Sequence, residues 1–577
     1  MNIQSMKKTV INAASRITSS RRRLILTSSV TVIVLVLVLY ISLSTSYSIN
    51  PAVTHSIFTI PGNATTYIEI INPEKSYDQF EKSSFGKSMI DSQAWEKLSN
   101  TPEFQKLANV IYFIQLKAGT LISYRDLPSF FGGSVGLAKM GDNSMLVVAK
   151  TNLKSRAGLA LVKAFKGESV PLSETKKKKE PGKEEKERKL EGVTADSYTD
   201  IFNEEQMPFG NLTITRINVS DGYIYMVLLD DYLFISDSDN TLGEALHLAA
   251  KPDSGNLLTL KGMKEALTAF ENGGDVLVYA NTESSTFAPI LTNFVHGKGI
   301  ACVLSGNATK TISGDIYAIE AVTETKTAQK GTEWEKIIPQ DQAIAVYSTT
   351  VGLGDAEKNI GNLPDSWKDL KEGTSSFFSA ASIDTSGYFS PGKGCALILH
   401  GLDLFNKRLY PQFAVGYDSK KKDGAVMRAI FKGRKETTQN FSGVKYSTLA
   451  LDGFYKPAAY HGTADIVSSS RLNLEKYISA SKGNREVLSD DPSYAALGEY
   501  AKAPNHIVIS IPRAIEALRN FYIYGGIRSG GYTAKTVDRD IIPLADPVKG
   551  YETIHIAMGL DRAITGKIVI TEKSANK

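Results

Sequence analysis

The chain has 577 residues, 42% of them hydrophobic and 22% charged, with a formal net charge of +5. That composition is ordinary for a globular protein, and the length suits a large core spread over roughly three to four domains. Residues 1–23 carry six Lys and Arg with no acid, and residues 174–190 carry eight against five Glu, so the remainder of the chain is net −4. That distribution excludes a basic nucleic-acid surface.

Residues 1–23 read as a cytoplasmic basic tail. Leu24–Leu43 follows without a charge, and Val32–Leu39 within it is purely aliphatic. Twenty helical residues span about 30 Å, the thickness of the bilayer hydrocarbon. Arg21-Arg22-Arg23 abuts this segment, and no Lys or Arg follows it until Lys75. The charge bias puts the N-terminus in the cytoplasm and the chain after Tyr47 outside. The apolar run is long for a signal peptide, and Ser44-Thr-Ser-Tyr is a poor cleavage site. An uncleaved single-pass anchor in a bacterial inner membrane is therefore expected, with residues 44–56 as a stalk and the bulk of the chain extracytoplasmic. Cys302 and Cys395 are the two cysteines. A disulfide is open to them in an oxidising compartment, but two free thiols are the simpler expectation.

From Ile57 the pattern becomes globular. Thr66–Ile71 alternates as a strand, and Tyr77–Phe85 and Ser92–Leu107 read as helices. Gly133–Met140 and Ser144–Lys150 read as strands around the turn signal Gly141-Asp-Asn. Arg156–Phe165 is predicted to be a helix. Residues 171–196, with Lys176-Lys-Lys-Lys-Glu-Pro-Gly-Lys, have nothing large and apolar to bury and read as a disordered insert. Leu212–Val219 and Tyr223–Leu229 are predicted strands. Tyr232–Ser236 is another, and Thr241 with Glu244 reads as a capping box for the helix that follows. Lys261–Phe270 is predicted to be helical, Val276–Ala280 a strand and Phe287–Phe294 a helix. A hairpin over 301–320 closes the series.

Much of this order recurs. Ile338-Pro339 and Ala343–Ser348 echo Ile60-Pro61 and its strand. Thr463–Ser468, with a helix carrying Leu474, Tyr477 and Ile478, aligns with Tyr232 onward, and Asn473 takes the N-cap place. Ile564-Thr-Gly-Lys-Ile-Val-Ile-Thr-Glu matches Ile312-Ser-Gly-Asp-Ile-Tyr-Ala-Ile-Glu. These matches predict an internal duplication. The expected fold is α+β: after the membrane segment, residues 57–325 and 338–577 form two tandem halves, each an antiparallel sheet with packed helices.

Motifs for chemistry are weak throughout. Gly132-Gly-Ser134-Val-Gly136 fits a nucleophile elbow, but a strand rather than a helix follows it. Ser84-Phe-Gly-Lys87-Ser88 ends like a phosphate-binding loop, but Glu81 stands where its first glycine belongs. Asp237-Ser-Asp239-Asn240 begins like a calcium loop, but Leu242 and Leu248 hold the glycine and glutamate positions; a capping turn explains it better. No two of the seven histidines, His55, His247, His296, His400, His461, His506 and His555, are spaced i,i+4. His506 sits in an apolar strand and reads as a satisfied packing residue. No catalytic, cofactor-binding or metal residue is assigned.

The series over Tyr232–Phe287, with Leu260-Lys-Gly-Met-Lys-Glu-Ala-Leu and Gly273-Gly-Asp-Val-Leu-Val-Tyr-Ala, resembles bacterial envelope families of unknown function. So does Ile60-Pro-Gly-Asn-Ala-Thr-Thr-Tyr-Ile-Glu-Ile. The resemblance implies one N-terminal anchor and a long extracytoplasmic region. The expected role is a non-catalytic structural or binding component that contacts envelope protein, lipid or polymer. The alternatives are a hydrolase with an unrecognised site between the halves and a carrier of an apolar ligand.

Overall fold

The computed structural model describes residues 49–90, 92–101, 128, 131–152, 204–209, 212–219, 222–252, 255–282, 298–305, 311–320, 334–341, 343–349, 394–405, 408–417, 435–449, 457–461, 465–529, 533–558 and 565–572. The segment Leu24–Leu43, the insert 171–196 and the expected helices 156–165 and 287–294 lie outside them. Among the described residues, no helix is long and apolar enough to cross a membrane.

The chain divides into two compact units. The first comprises Met1–Thr59, Lys106–Val135 and Leu146–Asp253, and the second comprises Ile60–Gln105, Gly136–Met145 and Ser254–Lys577.

In the first unit, β3 (Met145–Thr151), β4 (Glu204–Phe209), β5 (Leu212–Val219), β6 (Gly222–Leu229) and β7 (Tyr232–Ser236) pair in the order β3–β7–β6–β5–β4, and every pair is antiparallel. Ile217, Ile224, Met226 and Leu233 form one buried cluster on these strands. Helix α4 (Asp239–Ala250) buries Leu242, Ala245, Leu246 and Ala249, the i, i+3, i+4, i+7 stripe of an amphipathic helix. Its N-cap is Ser238, whose hydroxyl accepts the Thr241 N–H at 3.3 Å. The cap thus lies three residues before the predicted Thr241, because the short Ser238 side chain reaches the first orphan amides.

The second unit is built on one continuous sheet. It contains β1 (Ala64–Ile71), the Gly136–Met140 part of β2 (Phe131–Met140), β8 (Val276–Asn281), β9 (Gly299–Ser305) and β10 (Thr311–Ile319). It also contains β11 (Ala345–Thr349), β12 (Cys395–Phe405), β13 (Arg408–Tyr417), β14 (Glu436–Phe441), β15 (Val444–Leu449), β16 (Ala458–His461), β17 (Asp465–Ser468), β18 (Asn505–Ser510), β19 (Tyr551–Met558) and β20 (Thr565–Glu572). The strand order is β2–β1–β8–β9–β10–β20–β19–β18–β11–β12–β13–β17–β16–β15–β14.

The expected α+β fold of two tandem halves is corrected by this order. Strand β10, from residues 57–325, pairs along its length with β20, from residues 338–577. The two stretches therefore share one sheet, and strands dominate the described structure. Beside them stand α1 (Pro73–Lys82), α2 (Ser84–Ile90), α3 (Gln93–Ser99), α5 (Met263–Glu271), α6 (Arg471–Ser481), α7 (Pro492–Ala496), α8 (Ile511–Ser529) and α9 (Ala534–Asp540). The physical reason is that strand alternation reveals a buried face but not a partner, and the β10–β20 pair is far from local.

The junction register is self-complementary. Gly314 faces Ile568 and Ile316 faces Gly566, with Asp315 opposite Lys567 between them. A Cβ on Gly314 would lie 2.6 Å from Leu304 Cδ2 and 2.9 Å from the Val303 carbonyl oxygen, so glycine admits the neighbouring strand. Pairing also recurs: β1–β8–β9–β10 is matched by β11–β18–β19–β20. The isolated bridges Pro61–Asn256 and Pro339–Val487 match as well.

The main core of this unit gathers Trp334, Ile338, Val346, Ile398, Ile466, Leu474, Tyr477 and Val508. Elsewhere in the unit, helix α5 packs on β8, β9 and β10 and buries Met263, Ala266, Leu267 and Phe270 along one face; each large apolar side chain there contributes about 1.5–3 kcal/mol. Helix α6 begins at Arg471 behind Ser470, so the N-cap place predicted for Asn473 is also corrected by three residues.

Candidate functional site

A buried polar cluster sits on one face of β11, β18 and β19. Cross-strand register places Ser348 opposite His506, and His506 opposite Ala557. Directly opposed residues share a face, and so do i and i+2 on a strand, so Ser348, His506, Ala557 and His555 all point the same way. Helix α7 and the 3-10 turn Trp334–Lys336 supply Ser493, Tyr494 and Glu335 against this face.

The two histidines form a dyad. His506 Nδ1 lies 3.0 Å from His555 Nε2, and His506 Nε2 lies 3.0 Å from the Ala503 carbonyl oxygen. Ser493 Oγ is 3.5 Å from His555 Nδ1. The Ala503 carbonyl can only accept, so His506 carries its proton on Nε2 and accepts at Nδ1. His555 Nε2–H then donates to it, and His555 Nδ1 accepts from the Ser493 hydroxyl. Two neutral rings complete this chain with every donor directed the same way. The Tyr494 ring lies 6.1 Å from His506 and 5.7 Å from His555, centroid to centroid.

Carboxylates flank the dyad on two sides. Ser348 Oγ donates to Glu335 Oε1 at 2.6 Å, and both residues are fully buried. Asp491 caps α7 by accepting the Ser493 N–H at 2.8 Å. It also accepts Gln340 Nε2 at 2.8 Å and Thr553 Oγ1 at 3.2 Å.

Burial dominates the electrostatics. Loss of solvent lowers the His506 pKa, and the nearby Glu335 charge opposes that shift without cancelling it. Loss of solvent, reinforced by His506, pushes His555 down to about 3. Burial and Glu335 together raise the Tyr494 phenol.

The connectivity resembles a serine–histidine relay, but the setting excludes one. Ser493, His506, Glu335 and Ser348 have no solvent exposure, and His555 has 1%. No reacting atom can reach Ser493 Oγ in this arrangement. What the cluster does chemically is hold two neutral imidazoles and two carboxylates with their hydrogen bonds satisfied inside a sheet protein.

The residues weighed from sequence fall elsewhere. Ser134 lies inside β2 with 4% exposure, so it stands on no strained turn. Lys87 and Ser88 lie within α2. Asp237 and Asp239 flank the Ser238 cap, as a capping turn requires. His506 is the packed, hydrogen-bonded residue that its strand suggested. His461 pairs with Asp465, and His400 Nε2 lies 2.8 Å from the buried Tyr477 hydroxyl. Neither Cys302 nor Cys395 is in a disulfide. Among the described residues no cluster of His, Cys, Asp and Glu could hold a metal ion.

No protein-family model matches the chain, and no curated protein matches it. The solved structure of TP0453 in crystal form I is similar at a TM-score of 0.25 and 8% identity, over 49% of this chain and 82% of that one. A likeness at that level carries no argument.

Proposed function

We propose that this is a membrane-anchored extracytoplasmic protein of a bacterial envelope, held by Leu24–Leu43, with a structural or binding role toward envelope protein, lipid or polymer. One observation carries the reading: a charge-free segment of membrane length follows Arg21-Arg22-Arg23, and no Lys or Arg stands between Arg23 and Lys75. A non-catalytic role is supported by the sealed setting of the best polar constellation, since Ser493 and both histidines are closed to substrate. The matched pairings β1–β8–β9–β10 and β11–β18–β19–β20 support an internal duplication of sequence.

Fractionation of cells that express the full chain tests the anchor. The protein should stay in the carbonate-washed membrane, and external protease should remove all but a short N-terminal fragment. Release by carbonate would refute it. Crosslinking in intact cells should then recover a reproducible envelope partner; repeated recovery of none would refute the binding role.

A further inference from the structure

The chain just after the expected membrane segment is gripped by the first unit. Ile49 N–H donates to the Asp230 carboxylate. Asn50 N–H donates to the Ala249 carbonyl at 3.0 Å, which satisfies one of the orphan acceptors at the end of α4. Val53 N–H closes a turn onto Asn50 O at 2.9 Å, and Ala52 N–H reaches Asn50 Oδ1 at 3.0 Å. The Tyr232 hydroxyl lies 3.3 Å from Val53 O and 3.2 Å from Thr54 O. Ile49, Val53 and Ile57 are buried, while Pro51, Ala52 and Thr54 are exposed. Asp230 forms the β6–β7 turn with φ +48°, a left-handed conformation that Asp tolerates better than most residues. The turn thus presents a carboxylate to a backbone amide of the arriving chain.

We propose that this clamp mounts the first unit on the lipid headgroup surface, with the Pro51–Ala52 turn, the β6–β7 turn and the C-terminal end of α4 facing the bilayer. The inference rests on Leu24–Leu43 being the membrane anchor. Chain length then limits how far Ile49 can stand from the bilayer. Six peptide steps separate Leu43 from Ile49, and at about 3.6 Å each they reach at most about 22 Å. The interfacial layer itself takes up about 5–8 Å of that distance. From Asp230 the strand β6 runs back to Tyr223 over seven steps, about 23 Å. Tyr223, with 45% exposure, marks the opposite end of this hairpin. A hinged stalk would leave both ends equally free to meet the membrane; a clamped one orders them.

The test uses the full chain with Cys302→Ala and Cys395→Ala, carrying one reporter cysteine at a time: Ala52→Cys, Lys251→Cys or Tyr223→Cys. Each protein is labelled with a small fluorophore and reconstituted into phosphatidylcholine vesicles whose headgroups carry a nitroxide quencher. Quenching at positions 52 and 251 should exceed that at 223 by about threefold or more, given the separation along β6. Adding Tyr232→Phe, which removes only the hydroxyl, should shrink that ratio. Co-sedimentation with vesicles and equal quenching at 52 and 223 would overturn the mount and leave the anchor standing. Failure to co-sediment would overturn the anchor, and the mount with it.

Discussion

Acidification should destabilise the second unit through His555. Its folded pKa is pushed down to about 3, whereas a free histidine titrates near 6.5. The unfolded chain therefore binds the proton first as pH falls. The stabilising contribution of the neutral ring is complete above about pH 6.5 and is lost progressively down to about pH 3. Between pH 7.5 and 5.0 the loss amounts to about 2 kcal/mol, from 1.36 kcal/mol for each of the roughly 1.5 units below the unfolded value. His506 adds to it in the same direction, since burial also lowers its pKa. Carboxylates elsewhere titrate in this range, so the comparison is made with His555→Gln. Its carboxamide N–H can still donate to His506 Nδ1, but it cannot titrate. Urea unfolding of both proteins at the two pH values gives the stabilities by linear extrapolation. The variant should be less stable at pH 7.5, and its deficit should shrink by about 2 kcal/mol at pH 5.0. Parallel pH profiles for the two proteins would refute the reasoning, because they would show that His555 is not held neutral by burial.

Three further outcomes follow from packing and charge. A Cβ at Gly416 would drive into the buried Trp334 ring, so Gly416→Ala should cost about 1–3 kcal/mol as an overpacking defect; an unchanged urea midpoint would count against that contact. Burial, with Asp315 nearby, pushes the Cys302 thiol up to about 12, and Cys395 is buried. Native protein at pH 8 should therefore resist alkylation at both sites and take up label only after denaturation; rapid native labelling would contradict it. Ser238→Ala removes the hydroxyl that accepts the Thr241 amide and should cost about 1 kcal/mol by loss of an N-cap, whereas Ser238→Asp should restore most of it.

Local structure was legible in the sequence where one physical signal dominated. The alternation in Thr66–Ile71 marked β1, and the Gly141-Asp-Asn turn ends with Asn143 at φ +68°. The α4 and α5 stripes were visible because helix periodicity needs no partner. Strand β4 was not visible: Glu204-Glu-Gln-Met-Pro-Phe carries two acids and a proline, and pairs only with β5 among the described residues. Proline and charge are tolerated at a sheet edge, and they erase the pattern by which a strand is recognised. The β10–β20 junction was hidden for another reason. Its two strands look alike, and likeness alone suggests two separate sheets, whereas the self-complementary register makes β10 and β20 neighbours within one sheet.

The polar cluster shows where sequence patterning misleads. In β19 the residues Ile554 and Ile556 alternate with Thr553, His555 and Ala557, and apolar alternation alone would turn the isoleucines inward. The structure buries Thr553, His555 and Ala557, and leaves both isoleucines half-exposed. The same inversion occurs in β18, where His506 is buried and Ile507 is half-exposed. A histidine on a buried strand face costs free energy unless every ring nitrogen is paired. The pairing comes from Ser493 on α7, from Ala503 at the end of the following 3-10 turn, and from each ring to the other. The signal is thus relational: two histidines 49 residues apart, each unremarkable in its own strand, are brought together only because β18 and β19 pair with His555 two positions along from the residue opposite His506. Sequence alone could nominate His506 as packed, but the β18–β19 register was needed to supply its ring partner, while burial keeps it neutral.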